Sequence, residues 1–331
     1  MRLAKKSVFA MLIALFAAGS LFAAGQQGKT GGGPVWPAKD KLVVGFSQAD
    51  LMSTWRTVES DNMRDIARER GYKLIITNAE GDTGRQISDV ESLLAQGCNV
   101  MVIVAIDADA IKPALEACAA KNVPVVMKAR GANGTPGVDY ASFVASDFVW
   151  EGEQAATFIA NEAAKKGWSQ IRVVEIQGVI GGTDVRDRSQ GFHNIADAKG
   201  FKTVAQQSAN WSRSEAQAVT QNVLQATGGQ IEAIYCHNDE MALGASLALQ
   251  AAGKRVNQDI LLVGVDGMIE ALDAIKAGRL SATVTCTPKF AAKVFDVIEA
   301  GIRGERLPGY VAVDDKLVDI TNVDQFYSLG F

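Results

Sequence analysis

Histidine is nearly absent from this chain: among 331 residues only His193 and His237 occur, and no HExxH pair is present. That removes the helix-borne zinc hydrolase, which needs two imidazoles one turn apart. No GxSxG elbow, no GxxxxGK[ST] loop and no true GxGxxG occurs either, so the usual sequence carriers of serine hydrolysis, nucleotide hydrolysis and dinucleotide binding are missing. The four cysteines, Cys98, Cys118, Cys236 and Cys286, show none of the paired CxxC spacing of a zinc site. Cys236 and His237 are neighbours, but neighbours on a strand point to opposite faces and do not make a nucleophile with its base. No catalytic group, metal or cofactor is expected. An excess of cations is lacking too: 33 Lys and Arg stand against 37 Asp and Glu, the wrong balance for a surface that grips phosphates, so nucleic acid is not an expected partner.

Beyond the first two dozen residues no apolar run approaches the length of a membrane span. At the start, Arg2, Lys5 and Lys6 precede the apolar run Ser7 to Leu15, and small residues follow at Ala23-Ala24-Gly25. This is the layout of a secretory signal, expected over residues 1–24 with cleavage near Gly25. No Cys stands there to carry a lipid anchor. Its removal changes 33 basic residues to 30 against the same 37 acidic ones. Residues 25–40 are rich in Gly and Pro without periodicity and read as a flexible linker.

What the chain has in quantity is apolar character, 48% of residues, arranged as short β-branched runs alternating with helical spacing. KLVVGF, YKLIIT, NVMVIVAI, PVVMKA and ASFVAS are followed by IRVVEIQG, FKTVAQ, IEAIYC, ILLVGVD and SATVTC. The pattern is that of βαβ units with a parallel sheet covered on both faces, the α/β class. So many strands exceed one comfortable small sheet, and two doubly wound lobes are expected. The seam is placed at Ala145-Ser146-Asp147. The lobes are expected over 41–146 plus 287–313 and over 147–286 plus 314–331, with the ligand outside the carboxyl ends of the strands.

The residues just after each strand form a consistent set. Ser47, Trp55 and Arg56 follow the first run, Asp107 the third, Lys128 and Arg130 the fourth and Asp147 the fifth. In the second half Asp184, Arg186 and Arg188 follow IRVVEIQ; Asn210, Trp211 and Arg213 follow FKTVAQQSA; Asn238 follows IEAIYC and Asp266 ends ILLVGV. Asp and Asn suit hydroxyls that both donate and accept, Arg supplies fixed donors, and Trp stacks on the apolar face of a sugar ring. Taken singly, each has a plainer reading. Trp55 and Trp211 fit core aromatics, Arg56 and Arg213 fit solvated helix starts, and Asp184 and Asn238 fit helix N-caps. It is their joint occurrence that points to carbohydrate. GVIGG at 178–182 is a Gly-rich strand-to-helix turn of the kind that cradles a phosphate, and it keeps open an exported α/β enzyme acting on a sugar or sugar phosphate.

From Leu42 onward the chain resembles the type I periplasmic substrate-binding proteins of sugar ABC transporters, in their galactofuranose-binding and ribose-binding branches. The motifs that carry the resemblance are GFSQ…WR at 45–56, RDRSQGF at 186–192, NWSRS at 210–214, HNDEMALGA at 237–245, VGVDG at 263–267 and SATVTCTP at 281–288. The resemblance implies two Rossmann-like lobes joined by a three-segment hinge and closing on a monosaccharide or related polyol. It implies a periplasmic monomer and a membrane permease as partner, and leaves open whether a chemoreceptor also reads the closed form. It also implies ligand contacts from Ser47, Trp55, Arg56, Arg130, Arg188, Trp211, Asn238 and Asp266. A sugar-responsive repressor shares this architecture but needs a helix-turn-helix before the first lobe, where this chain has a signal and a linker. Two positions depart from the family pattern: Ala129 stands where an Asp is expected beside the Arg, and Cys286 replaces a polar hinge residue. The lost acceptor is expected either from Asp107 or Asp147, or to mark a ligand that differs at that edge. Cys98 and Cys118 are expected at the sheet edge, where a disulfide between them is considered.

Overall fold

The structure is a computed structural model and describes residues 34–331. The expected export signal, and the linker as far as residue 33, lie outside the described residues. The order of elements is β1 (Val43–Gln48), α1 (Thr54–Glu69), β2 (Lys73–Asn78), α2 (Thr83–Ala95), β3 (Val100–Ile103), α3 (Lys112–Ala120), β4 (Val125–Lys128) and β5 (Ser142–Ser146). The chain continues through α4 (Phe148–Lys165), β6 (Arg172–Gln177), α5 (Thr183–Ala196), β7 (Lys202–Ser208), α6 (Arg213–Ala226) and β8 (Ala233–Cys236). Then come α7 (Asp239–Ala251), β9 (Leu261–Asp266), α8 (Ile269–Lys276) and β10 (Ala282–Thr285), and last α9 (Ala291–Ile302), β11 (Tyr310–Val313), β12 (Leu317–Asp319) and α10 (Val323–Phe326).

These strands make two six-stranded sheets with matching orders, β11-β5-β4-β3-β1-β2 and β12-β10-β9-β8-β6-β7. Their pairings are parallel except for β12 against β10. The central strands are continuously buried, as β3, β4, β8 and β9 are, because helices cover both faces. In each sheet the order reverses around its first strand, β1 or β6, and the carboxyl ends of those strands are where such folds hold ligands. The chain passes between the sheets after β5, after β10 and again between β11 and β12. The last two strands carry no clear sequence signal, being edge strands that are only partly buried.

Local capping agrees with the strand-end readings. Ser53, Asp82, Asp147, Ser212 and Asn238 each accept a backbone N–H three residues on, opening α1, α2, α4, α6 and α7. Helices α4 and α5 cross at glycines. A Cβ on Gly152 would meet the Arg188 carbonyl at 2.1 Å, and one on Gly191 would meet that of Val149 at 1.9 Å. That close approach holds the Arg188 turn against α4.

Two expectations are corrected. The linker ends earlier than Asp40: Val35 donates its N–H to Asn122 at 2.8 Å, and Trp36 packs on Gly301 of α9 as part of the first core. Cys98 and Cys118 are free thiols, and both are buried in the apolar cluster between α2, α3 and the first sheet rather than at an edge. Burial pushes the Cys118 thiol up to about 12, which makes it inert.

Candidate functional site

A cavity of about 660 Å³ lies between the two sheets at their strand ends. From the first lobe it is lined by Asp50, Trp55, Arg56, Ala129, Arg130 and Phe290. Arg56 lies over its neighbour, with the guanidinium carbon 4.7 Å from the Trp55 ring centre, and donates to Glu59 at 2.9 Å. Glu59 is wholly buried and also takes Lys128 Nζ at 2.5 Å and Gln48 Nε2 at 3.0 Å. Burial alone would raise the Glu59 carboxyl, but Lys128 and Arg56 hold it below the usual carboxylate range. Burial drives Lys128 down to about 8 against the pull of that carboxylate. Its ammonium also rests 3.6 Å from the centre of the Phe290 ring. Trp55 Nε1 donates to the Cys286 carbonyl at 2.6 Å, tying the first wall to the crossover after β10.

The second wall is set by Arg188, which donates to Glu151 at 2.7 Å and to the His237 carbonyl at 2.8 Å. Its guanidinium carbon lies 5.2 Å from the Phe148 ring centre and 5.8 Å from that of Trp211. Trp211 fits there because Gly178 has no side chain; a Cβ would meet the indole at 2.0 Å. Asn238 spends its carbonyl oxygen on the Met241 N–H, which leaves its amide group as a donor. Burial pushes the Asp266 carboxyl well above its ordinary value, with Arg188 opposing. Ala129, Asn210, Trp211 and Asp266 all line the cavity with positive φ of 58°, 51°, 63° and 131°. Strained backbone of this kind clusters at ligand clamps.

Of the residues named from the sequence, the structure brings together Trp55, Arg56, Arg130, Asp184, Arg188, Asn210, Trp211, Arg213, Asn238 and Asp266. Ser47 is not among them: it is fully buried inside the lobe, because the chain runs on to Asp50 before it reaches the cavity. Asp147 is exposed and caps α4, accepting from Trp150 at 2.9 Å, so Ser146, one residue earlier, faces the cavity instead. Asp107 accepts from the N–H groups of Asp109 and Ala110 and lines a separate cavity of about 470 Å³ with Arg186 and His193. Neither Asp107 nor Asp147 therefore supplies the acceptor missing at Ala129. The carboxylate that meets Arg130 is Asp184, which accepts from its Nε at 2.7 Å. Burial opposes its charge, but Arg130, Arg188 and Arg56 hold it below the usual carboxylate range. Glu59 and Glu151 were not singled out, because charged residues on helices ordinarily read as solvated.

The family described as periplasmic binding protein domain matches residues 44–305. The chain belongs to the type I periplasmic sugar-binding proteins. It is 40% identical over 256 residues to the ribose import binding protein of Bacillus subtilis (strain 168), covering 77% of this chain and 80% of that one. It is 31% identical over 261 residues to the galactofuranose-binding protein of Escherichia coli (strain K12), covering 78% and 81%. A crystal structure of a galactofuranose binding protein superposes with a TM-score of 0.82 at 27% identity, covering 87% of this chain and 97% of that one. The arabinose transporter component from Shewanella sp. ANA-3, bound to L-arabinofuranose, gives 0.79 at 31% identity, covering 86% and 94%. Members of this family are binding proteins of transporters rather than enzymes, so the exported-enzyme alternative falls.

Proposed function

We propose that this periplasmic binding protein captures a neutral monosaccharide, in furanose or pyranose form, or a related polyol, and delivers it to the permease of an ABC transporter. One observation carries the neutrality: every guanidinium on the cavity wall already has a carboxylate. Arg56 pairs with Glu59, Arg130 with Asp184, Arg188 with Glu151 and Arg213 with Glu240. An anionic ligand would have to break one of these pairs, leaving a buried charge uncompensated. A neutral polyhydroxylated ligand instead takes the remaining N–H donors and carboxylate lone pairs while its C–H face meets Trp55 or Trp211. The relatives' names agree in class, with ribose, galactofuranose and xylitol all uncharged. Trp55, Arg56, Arg130, Arg188, Trp211, Asn238 and Asp266 are assigned to the ligand on this reading.

The test is thermal unfolding across a panel of neutral sugars and polyols set beside sugar phosphates and aldonates. A ligand that binds only the folded state raises the melting temperature. At least one neutral compound is expected to do so and no anion; the reverse result overturns the reading. Ligand that bridges both walls favours the closed arrangement, so the radius of gyration in scattering is expected to shrink at saturation. The reading extends to export as a monomer with a mature terminus close to Gly25. Intact mass from a periplasmic extract and sedimentation check those points.

A further inference from the structure

Arg130 and Asp184 differ from the other ion pairs of the cavity wall, for they pair from one lobe to the other rather than within a lobe. Arg56 pairs within its own helix and Arg188 with the neighbouring α4, whereas Arg130 follows β4 of the first sheet and Asp184 lies in the first turn of α5 above the second. They meet across the cleft at 2.7 Å with both side chains almost enclosed. The adjoining residues meet as well: Gly131 N–H donates to Thr183 Oγ1 at 3.1 Å, Ala108 N–H to the Gly181 carbonyl at 3.3 Å, and Arg186 to Asn133 Oδ1 at 3.1 Å. Asp184 Oδ1 otherwise takes only the Val185 N–H at 3.0 Å. A carboxylate oxygen accepts two bonds, so each oxygen keeps an unused lone pair beside the cavity. Beside Arg130 in the first lobe, Ala129 presents a methyl group and no acceptor, and Asp50 is the carboxylate that this lobe contributes to the cavity wall.

We propose that Asp184 is a specificity-determining residue and an interlobe latch. As a carboxylate carried by the second lobe, it presents an acceptor beside Arg130 only when the lobes meet, so this edge of the ligand is read in the closed form alone. The assignment rests on the neutral-ligand reading above. A hydroxyl placed between Arg130 and Asp184 receives a donor from one lobe and an acceptor from the other. A ligand with its hydroxyl elsewhere leaves the pair intact and gains nothing from it. Such charge-assisted bonds discriminate because their absence leaves buried polar groups poorly matched. An ion pair that spans the two lobes also favours their meeting.

The experiment measures binding of D-ribose, L-arabinose, D-galactose and xylitol by calorimetry, and the unliganded radius of gyration by scattering, for wild type, Asp184→Asn and the double variant Ala129→Asp/Asp184→Ala. Asp184→Asn keeps the shape and removes the charge. It is expected to weaken the tightest wild-type ligand by about tenfold or more, to change the order of the panel and to enlarge the unliganded radius. The double variant returns a carboxylate to the first lobe and is expected to regain affinity while the empty protein stays open. Affinities within about twofold and in unchanged order for Asp184→Asn overturn the specificity role. An unchanged radius overturns the latch. If wild type binds no member of the panel, the neutral-ligand reading fails and takes the specificity role with it, and the latch is decided by the radius alone.

Discussion

The two walls of the cleft handle buried charge in opposite ways. In the first lobe a single carboxylate, Glu59, is shared by two cations, Arg56 and Lys128, and is held ionised. In the second lobe acids outnumber the cation they surround. Glu151, Asp266 and Asp315 lie near one Arg188, and burial pushes the carboxyls of all three upward. The first wall is a rigid ion cluster that orients Arg56 and Trp55. The second crowds acids near the crossovers, where Asp315 accepts from Thr285 at 3.2 Å. Asp184 on that side is held low, because the arginines of both walls face it.

The sharpest way to break this comparison is Glu59→Ala. It strands two buried cations and is expected to cost about 3–5 kcal/mol of stability, read from denaturant unfolding. A loss under about 1 kcal/mol would mean that the cluster is not sealed from solvent.

The next effect is on pH. A carboxyl raised in the folded state keeps its proton after the unfolded chain has lost it, so its contribution declines as pH rises from the ordinary carboxyl range, about 4, to the folded value, about 8 for Asp315. The hydrogen bond to Glu175 lifts His193 to about 9, and that contribution is likewise full below the ordinary imidazole value, about 6.5, and lost as pH rises through 9. Glu59 and Asp184, held low, stay ionised throughout this window. Melting temperature is therefore expected to fall between pH 6.5 and pH 8, above which Lys128, lowered to about 8, acts in the opposite sense, and Asp315→Asn to flatten that fall. A rising or level profile in wild type contradicts the contrast between the walls.

Trp55→Phe comes next. It removes the indole bond to the Cys286 carbonyl and is expected to weaken ligand binding by about 1 kcal/mol. Trp211→Phe is expected to cost less, since its Nε1 has no partner among the described residues. Calorimetry on the tightest neutral ligand decides between the two walls. The smallest expected effect is that of reductant. With Cys98, Cys118, Cys236 and Cys286 all free, the melting curve should not move, and the denatured protein should titrate as four thiols.

Much of this was legible along the chain, and particular residues show why. The alternation of β-branched runs with helical spacing reports burial on both faces, so the first ten strands could be read in order. Trp55, Arg56, Arg188 and Asn238 were readable because the first residues after a parallel strand lie near its carboxyl end wherever the sheet is placed. Ser47, Asp107 and Asp147 share that property yet miss the cavity. One or two residues of rotation send a side chain into the core or onto a helix N-terminus, and local sequence does not encode that rotation.

The sequence by itself determined the class, the two sheets and the approximate ring of strand-end residues, since periodicity and turn chemistry are local. Only the tertiary structure decided which charges face one another. Lys128 meets Glu59 from 69 residues away and Arg130 meets Asp184 from 54, in the second case from the opposite lobe. The worth of a charge depends on what lies within a few ångströms of it once water is excluded. That distance is set by how the lobes pack, and it separates a solvated helix start from a wall of the site.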